Sequence, residues 1–382
     1  MYPFSQLYFK AMKFICAFFL FFVVSYGHAK QNCQKPYTSI YAFGDSYTDT
    51  GNFVAMFSSG PGNSINNPPY GETFFGYPTG RCSDGRLLID FIAEEFGLPL
   101  VPPYQADPGN FVQGANFAVA GATAINVEFF EQNNFVSFPL LRNSLNYQLQ
   151  WFDEVKTSLC NCTDECKGFF STSLFTFGEF GANDYSFILQ SGKSIEEVKN
   201  TYVPQVIQLI SNAIEKVIGD GAITVAAAGQ LPTGCVPLFL TLFASSNKLD
   251  YEADTGCLKA YNDLATYHNL LLVKELGRLR GKYPHANIIY TNYYDPVIKI
   301  VKNPDHFGFI NTPLQTCCGK DGPYNWNATE ICGMPGVSAC QTPSTYLHWD
   351  GVHLTEAAYR YISTTWLNGP HAIPPIKPQC KY

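Results

Sequence analysis

The chain has 382 residues, of which 46% are hydrophobic and only 14% are charged. A chain of this length and composition can bury a large core, so we do not expect disorder. The formal net charge is −7 at pH 7, and no block of basic residues suited to a phosphate backbone is present. Composition therefore argues against nucleic acid as a partner.

The N-terminus has the pattern of an export signal. Lys10 and Lys13 precede the apolar run FICAFFLFFVVSY, and the small-x-small tripeptide Gly27-His28-Ala29 follows it. We predict a signal peptide over residues 1–29, and translation from Met12 would give a more compact form of it. A membrane anchor is the weaker interpretation, because this run is shorter than the roughly 20 apolar residues that span a bilayer.

The first element after the signal is an apolar strand over residues 39–43, which the polar turn GDSYTDTGN follows. Gly44 permits a sharp exit from the strand, and Asp45 can accept hydrogen bonds from amides of the turn. Ser46 would then lie at the rim of the sheet. A serine needs a base before it is a nucleophile, so this segment alone favours an ordinary capped turn.

Two glycine-containing segments in the first half of the chain offer hydrogen-bond donors. NFAVAGAT has an unshielded backbone N–H at Gly121, and GAND, just after a predicted strand over residues 174–177, has the Asn183 amide. Such donors stabilise the oxyanion that develops in acyl transfer. A turn at a strand end and a helix cap are the structural alternatives.

The strand and helix patterns alternate along the chain. Short runs that are apolar on both faces predict strands of a covered parallel sheet, and amphipathic segments predict helices between them. The strands are predicted over residues 39–43, 174–177, 223–227 and 287–290, and the helices over 87–96, 194–217 with a kink expected at Pro204, 258–279, and 354–362. This alternation predicts a doubly wound α/β sheet that binds its ligand at the carboxyl ends of the strands.

Near the C-terminus, HWDGVH places Asp350 and His353 three residues apart across a glycine. A turn would bring the carboxylate to Nδ1 of His353 and leave Nε2 free for Ser46. The alternatives are a surface histidine beside a turn aspartate, and a metal site that includes His348. No H-E-x-x-H motif supports the metal site.

Cysteine usage indicates an oxidising compartment. Removal of Cys16 with the signal leaves an even number of cysteines, 13 − 1 = 12, which suits disulfide pairing. A zinc site is disfavoured, because no C-x2-C pairs have the spacing of a zinc finger. Two groups are expected to form local disulfides: Cys160, Cys162 and Cys166, and Cys317, Cys318, Cys332 and Cys340.

Two glycosylation sequons begin at Asn161 and Asn327. In an exported chain, such sequons predict surface loops.

The GDS segment, the glycine of NFAVAGAT, GAND and DGVH occur in this order over nearly all of the mature chain. They resemble the four sequence blocks of the GDSL-type (SGNH) esterases and lipases, and PYGETFFGYPTGRCSDGRLLIDFIAEEFGLP is similar to the secreted plant branch. The resemblance implies a flavodoxin-like, three-layer α/β/α fold and no cofactor. Because no linker divides residues 30–382, we expect them to form a single domain.

The resemblance also implies roles for individual residues. Ser46 would be the nucleophile, and its N–H would share the oxyanion hole with Gly121 and Asn183. His353 would be the base, and Asp350 would orient it. Gly114 lies in the same block as Gly121 and is the alternative for that role.

One position departs from the family pattern, because Tyr47 replaces the usual leucine after the serine. We expect this side chain to point toward the core or the pocket rim, which would change packing and leave activity intact. The G-x-S-x-G signature is absent, which argues against the nucleophile elbow of the α/β-hydrolases.

These features predict a secreted serine esterase that acts through an acyl-enzyme. A resemblance to alkaloid acetylesterases and sinapine esterases favours a small acyl group, such as acetyl, on a plant metabolite. The open alternatives are an acyltransferase, a cell-wall polysaccharide acetylesterase, a lipase, and a binding protein that has lost catalysis. We expect a small-molecule or glycan-linked ester as substrate, no stable membrane anchor, and a location in the cell wall or vacuole.

Overall fold

A computed structural model describes residues 36–57, 64–106, 109–136, 142–309 and 312–378 of the chain. The predicted signal peptide and its cleavage site lie outside these residues. All described residues fall in one compact unit.

The strands form one large sheet and one small one. The described residues contain eight strands: β1 (Ser39–Phe43), β2 (Gly114–Asn116), β3 (Ser173–Phe177), β4 (Thr224–Ala228), β5 (Asn287–Thr291), β6 (Cys318–Gly319), β7 (Ser338–Ala339) and β8 (Ala372–Ile373). The large sheet has the order β2-β1-β3-β4-β5-β8, in which β8 alone is antiparallel. Its five parallel strands have the flavodoxin-like order. Strands β6 and β7 form a separate antiparallel pair.

Helices occupy the connections between the strands. The α-helices are α1 (Asn52–Met56), α2 (Leu88–Glu95), α3 (Val127–Gln132), α4 (Leu145–Leu159), α5 (Thr163–Phe170), α6 (Ala182–Gln190), α7 (Ile195–Glu197), α8 (Val203–Gly219), α9 (Pro237–Leu242), α10 (Lys259–Lys282), α11 (Tyr294–Lys302) and α12 (Glu356–Asn368). Five residues of π-helix, Val198–Tyr202, join α7 to α8. At the position of the predicted kink, the chain therefore has a π-helical segment. Pro204 follows this segment and lies in the first turn of α8.

Two hydrophobic layers enclose the large sheet. Alternate side chains of β1, such as Tyr41 and Phe43, pack in the same cluster as residues of α4, α5, α6, α8 and α10. The intervening side chains, Ile40 and Ala42, pack with residues of α2, α11 and α12 on the other face. Because a strand directs successive side chains to opposite faces, both layers cover the same short strands. The three-layer α/β/α prediction is therefore confirmed.

The predicted strands and helices all occur, with ends shifted by one to a few residues. The short strand β2 and the C-terminal strand β8 carry too few residues to show a periodic pattern, and the sequence did not predict them. β2 pairs with β1, on the opposite side of β1 from β3. The segments that follow β1, β2 and β3 therefore leave the sheet at the same edge.

Among the described residues, the disulfides are local. The pairs are Cys160–Cys166, Cys235–Cys257, Cys317–Cys340 and Cys318–Cys332. Each of the two predicted groups is bridged within itself, and two of the described cysteines remain outside these pairs. Cys82 is free and buried, and Cys162 is free and exposed, because Cys166 bonds to Cys160.

Within the described ranges, no helix is both long and apolar enough to cross a membrane. In the same part of the chain, no cluster of three His, Cys, Asp or Glu side chains is arranged to hold a metal ion.

Candidate active site

Ser46 lies in a tight turn at the carboxyl end of β1. The backbone carbonyl of Asp45 accepts hydrogen bonds from Thr48 N (3.1 Å) and Asp49 N (2.9 Å). The Asp45 side chain folds into the same turn, where its Oδ1 accepts from Tyr47 N at 3.0 Å. Ser46 is therefore fixed on a turn closed by both the backbone and the side chain of its neighbour, and it retains 6% exposure.

Asn183 joins the turn of Ser46 to the segment of Gly121. It lies in the first turn of α6, and its Nδ2 donates to Asp45 Oδ2 and to the Ala122 carbonyl, both at 3.1 Å. Asp45 adjoins Ser46, and Ala122 adjoins Gly121. One side-chain amide thus brings the three predicted oxyanion donors into one place.

Gly121 has the backbone geometry of an exposed N–H. Its φ is +78°, which favours glycine, and a Cβ added there would meet no atom within 4 Å. Within the described residues, neither the Gly121 N–H nor the Ser46 N–H has a backbone acceptor. Gly114, the alternative, lies in β2, where a Cβ would be 2.1 Å from the Ile40 carbonyl oxygen, so its place is inside the sheet.

Asp350 and His353 form a buried pair before α12. His353 Nδ1 lies 2.9 Å from Oδ1 and 2.7 Å from Oδ2 of Asp350. Oδ1 also accepts from the backbone N–H groups of Val352 (3.1 Å) and His353 (2.9 Å). The carboxylate therefore holds both the imidazole and the turn that carries it. Among the described residues, no group is hydrogen-bonded to the buried Nε2 of His353.

Two residues outside the HWDGVH segment fix this turn. Tyr70 donates its hydroxyl to Asp350 Oδ2 at 2.7 Å. Trp326 packs against Gly351, whose φ is +93° and where a Cβ would be 2.2 Å from the indole ring. Both are far from Asp350 along the chain, so the motif gave no sign of them.

Each member of this pair shifts the pKa of the other in the direction that favours its charged form. Burial raises the pKa of Asp350, but the His353 imidazole and its hydrogen bonds outweigh it and lower that pKa to about 2. Burial lowers the pKa of His353, but the Asp350 carboxylate outweighs it and raises that pKa well above the ordinary value. The buried thiol of Cys82 also lies beside this imidazole, and burial raises the pKa of the thiol. His348, the third residue of the metal alternative, is buried, and burial lowers its pKa to about 4.

Three buried carboxyl groups, one of them in the turn of Ser46 itself, lie close together. Burial raises the pKa of Asp45 to about 6 and that of Asp184 to about 7. The pKa of Glu179 rises well above its ordinary value, through burial and then through the nearby Asp45 charge, and the two side chains hydrogen-bond to each other. Two buried carboxyls in contact share a proton, because two like charges at that distance repel.

Other hydrogen bonds of this cluster go to the backbone and to Gln230. Glu179 Oε1 accepts from Ala182 N at 3.0 Å and from Gln230 Nε2. The Asp184 carboxylate accepts from Ala124 N (3.0 Å) and Ile125 N (2.8 Å). The sequence analysis did not predict this cluster. Two of its members, Glu179 and Asp184, nevertheless stand in the segment GEFGAND, which also contains Asn183.

The two predicted glycosylation sites lie in loops. Asn161 is exposed between α4 and α5. Asn327 is half-buried, and its Nδ2 donates to the Lys320 carbonyl at 2.7 Å. Glycosylation at either residue stays a prediction.

The fold and this edge of the sheet define the class of the protein. A flavodoxin-like α/β/α sheet that carries GDS, GAND and DGVH at the ends of its elements has the architecture of the SGNH hydrolases. Residues 40–366 match the family model of the GDSL-like lipases and acylhydrolases. The chain belongs to this family.

Plant enzymes are among the relatives. A GDSL esterase/lipase of Arabidopsis thaliana is 44% identical over 381 residues, which cover 100% of this chain and 96% of the relative. A second one from the same plant is 46% identical over 345 residues, covering 90% and 87%. The sinapine esterase of Brassica napus is 43% identical over 378 residues, covering 96% and 95%. These relationships support carboxylic ester hydrolase activity.

Proposed function

We propose that this enzyme is a serine esterase in which Ser46 is the nucleophile and His353 is the base. The observation that carries the proposal is the buried Asp350–His353 pair with Nε2 left unbonded among the described residues, at the edge of the sheet that also carries Ser46. A charged Asp350 fixes the imidazole through Nδ1 and stabilises the imidazolium that forms during reaction.

In the first half of the reaction, Ser46 Oγ forms a bond to the ester carbonyl carbon while its proton passes to His353 Nε2. The carbonyl oxygen becomes an oxyanion, which the N–H groups of Ser46 and Gly121 and the Asn183 amide stabilise. The carbon–oxygen bond to the alcohol then breaks, and His353 gives its proton to the leaving alcohol.

In the second half, water attacks the acyl-enzyme while His353 takes a proton from it. The bond to Ser46 Oγ breaks, the proton returns to Oγ, and the carboxylic acid leaves. Asn183 has to release one of its two present acceptors to serve the oxyanion, because its Nδ2 carries only two hydrogens.

We further propose a small acyl group on a plant metabolite as substrate. The support for a metabolite ester is the 43% identity to a sinapine esterase, which is named for such an ester. The support for a small acyl group is the resemblance of the segment PYGETFFGYPTGRCSDGR to alkaloid acetylesterases. Nitrophenyl esters of increasing chain length test this proposal. We expect the highest kcat/KM with acetyl and a steady fall for longer chains; a maximum at long chains would favour a lipase.

A covalent probe tests the nucleophile. We expect an alkyl organophosphonate to label the wild-type chain on Ser46, and Ser46→Ala to lose both labelling and ester hydrolysis. Ser245→Ala is the matched control, since Ser245 lies in a loop between α9 and α10 and bonds only to its local turn. Full hydrolysis by Ser46→Ala would overturn the proposal.

We also propose that the enzyme is secreted. Support comes from the N-terminal signal pattern and from disulfides of the kind that form in oxidising compartments. Expression of the full chain in a plant secretory system should release a protein whose N-terminus is Lys30. Retention inside the cell with an intact Met1 or Met12 would contradict secretion.

A further inference from the structure

Tyr47 connects the turn of Ser46 to the turn of His353. Its hydroxyl donates to the Val352 carbonyl at 2.6 Å, across 305 residues of sequence. The side chain is almost completely buried, and its ring lies 5.5 Å from the His353 imidazole, centre to centre. Tyr293 and Tyr359 pack on other sides of the same ring, so its orientation is fixed.

The bonded carbonyl belongs to the peptide group that leads into His353. The other polar end of this peptide, the His353 N–H, donates to Asp350 Oδ1 at 2.9 Å. One peptide group is therefore held at both ends, by Asp350 from its own turn and by Tyr47 from the nucleophile turn. Rotation of this peptide would move the Cα of His353 and, with it, Nε2.

At the other end, the backbone of Tyr47 is equally fixed. Its N–H donates to Asp45 Oδ1 at 3.0 Å, inside the turn that closes around Ser46. A leucine at this position, as in the usual family pattern, could fill part of the volume but could donate no hydrogen bond. Burial raises the pKa of the Tyr47 hydroxyl well above its ordinary value, so the group stays a donor at any working pH.

We infer that Tyr47 is a positioning residue that sets the separation of the Ser46 hydroxyl and His353 Nε2 through its hydrogen bond to the Val352 carbonyl. The inference rests on the proposed function, in which those two groups exchange a proton. Small errors in such a separation lower the rate of the chemical step, while substrate binding is unaffected.

The test compares Tyr47→Phe with a matched control. Tyr37→Phe removes the same kind of bond, a buried tyrosine hydroxyl donating to a backbone carbonyl (Ile376, 2.9 Å). Tyr37 precedes the amino end of β1, whereas Ser46 follows its carboxyl end. Both variants keep the aromatic ring, so both should fold and lose similar amounts of thermal stability. Activity is measured well below either unfolding transition with a short-chain nitrophenyl ester.

We expect Tyr47→Phe to lower kcat about threefold to tenfold with KM unchanged, and Tyr37→Phe to leave both unchanged. The organophosphonate should label Ser46 more slowly by a similar factor. The pH at which kcat/KM is half-maximal should not move, because the Asp350–His353 pair remains intact. Tyr47→Leu should lose at least as much kcat as Tyr47→Phe.

The outcomes separate this inference from the proposed function. If Ser46→Ala is inactive but Tyr47→Phe matches Tyr37→Phe in kcat, the positioning role is wrong and the proposed function stands. An active Ser46→Ala would overturn both. If the loss in Tyr47→Phe is entirely in KM, the hydroxyl serves substrate binding and the positioning role is also wrong.

Discussion

Asp45 and Asp350 flank the candidate site from opposite ends of the chain, and both are almost completely buried. Asp45 faces the carboxyl groups of Glu179 and Asp184, and its pKa rises to about 6, mainly through burial. Asp350 faces an imidazole, and its pKa falls to about 2 in spite of burial. The neighbours of a buried carboxyl, more than its depth, therefore decide whether it is charged.

The opposite pKa shifts of Asp45 and Asp350 suit two different roles at the same site. The charged Asp350 can stabilise an imidazolium, as a base that cycles its proton requires. Next to Ser46, Asp45 and Glu179 share a proton, and the oxygens of Asp45, Glu179 and Asp184 hold backbone and amide groups in place. Asp350 thus acts through its charge, and the cluster of Asp45, Glu179 and Asp184 acts through its hydrogen bonds.

The largest expected effect comes from removal of the charge at Asp350. Asp350→Asn should lower kcat by about 10⁴-fold, as the loss of the orienting carboxylate does in the Ser-His-Asp template.

In the wild type, the raised pKa of His353 means that activity falls as pH drops through a value above 6.5, because the base becomes protonated. The residual activity of Asp350→Asn should fall only at lower pH. Profiles of kcat/KM between about pH 5 and 9 measure both effects. If the variant loses activity at the same low pH as the wild type, Asp350 does not raise the pKa of His353.

A smaller effect, on stability, is expected from Glu179→Gln. The amide matches a protonated Glu179, since its oxygen can accept from Ala182 N and Gln230 while its NH₂ donates to Asp45. Wild-type Glu179 is ionised above about pH 4.5 when unfolded but keeps its proton when folded, so its contribution to stability declines as pH rises.

The free energy of unfolding of Glu179→Gln, relative to wild type, should therefore increase as the pH rises above about 4.5, with a slope of at most about 1.4 kcal/mol per pH unit. Urea unfolding at several pH values measures this slope. Glu179→Ala is the comparison variant and should be less stable than Glu179→Gln throughout, because it leaves its partners unbonded. A difference independent of pH would show that Glu179 is ionised in the folded protein.

The smallest expected effect comes from Tyr70→Phe. It removes one neutral donor from Asp350 and leaves the charge pair intact, so kcat should fall about threefold to tenfold. The Tyr70 hydrogen bond also helps to lower the pKa of Asp350, which should therefore rise in the variant. Tyr147→Phe, which removes a hydroxyl bonded to Glu128 at the surface, is the control and should keep wild-type activity. Equal activity of the two variants would show that the Tyr70 hydroxyl does not contribute to catalysis.

The expected role of Tyr47 shows where sequence reasoning was partly right. The side chain does pack in the core, as predicted, among Tyr293, Tyr359 and His353. Its hydroxyl, however, bonds to a carbonyl 305 residues away, and no local pattern contains that information.

The sequence by itself determined the alternation of strands and helices and the positions of Ser46, Asn183 and the Asp350–His353 pair. Strand and helix periodicity, glycine turns and a carboxylate three residues from a histidine are local features, so a linear sequence displays them. The tertiary structure alone decided the Tyr70 and Tyr47 bonds, the carboxyl cluster, the edge strands β2 and β8, and which cysteines stay free. Each of these depends on where distant segments of the chain meet, and that is settled by the packing of both faces of the sheet.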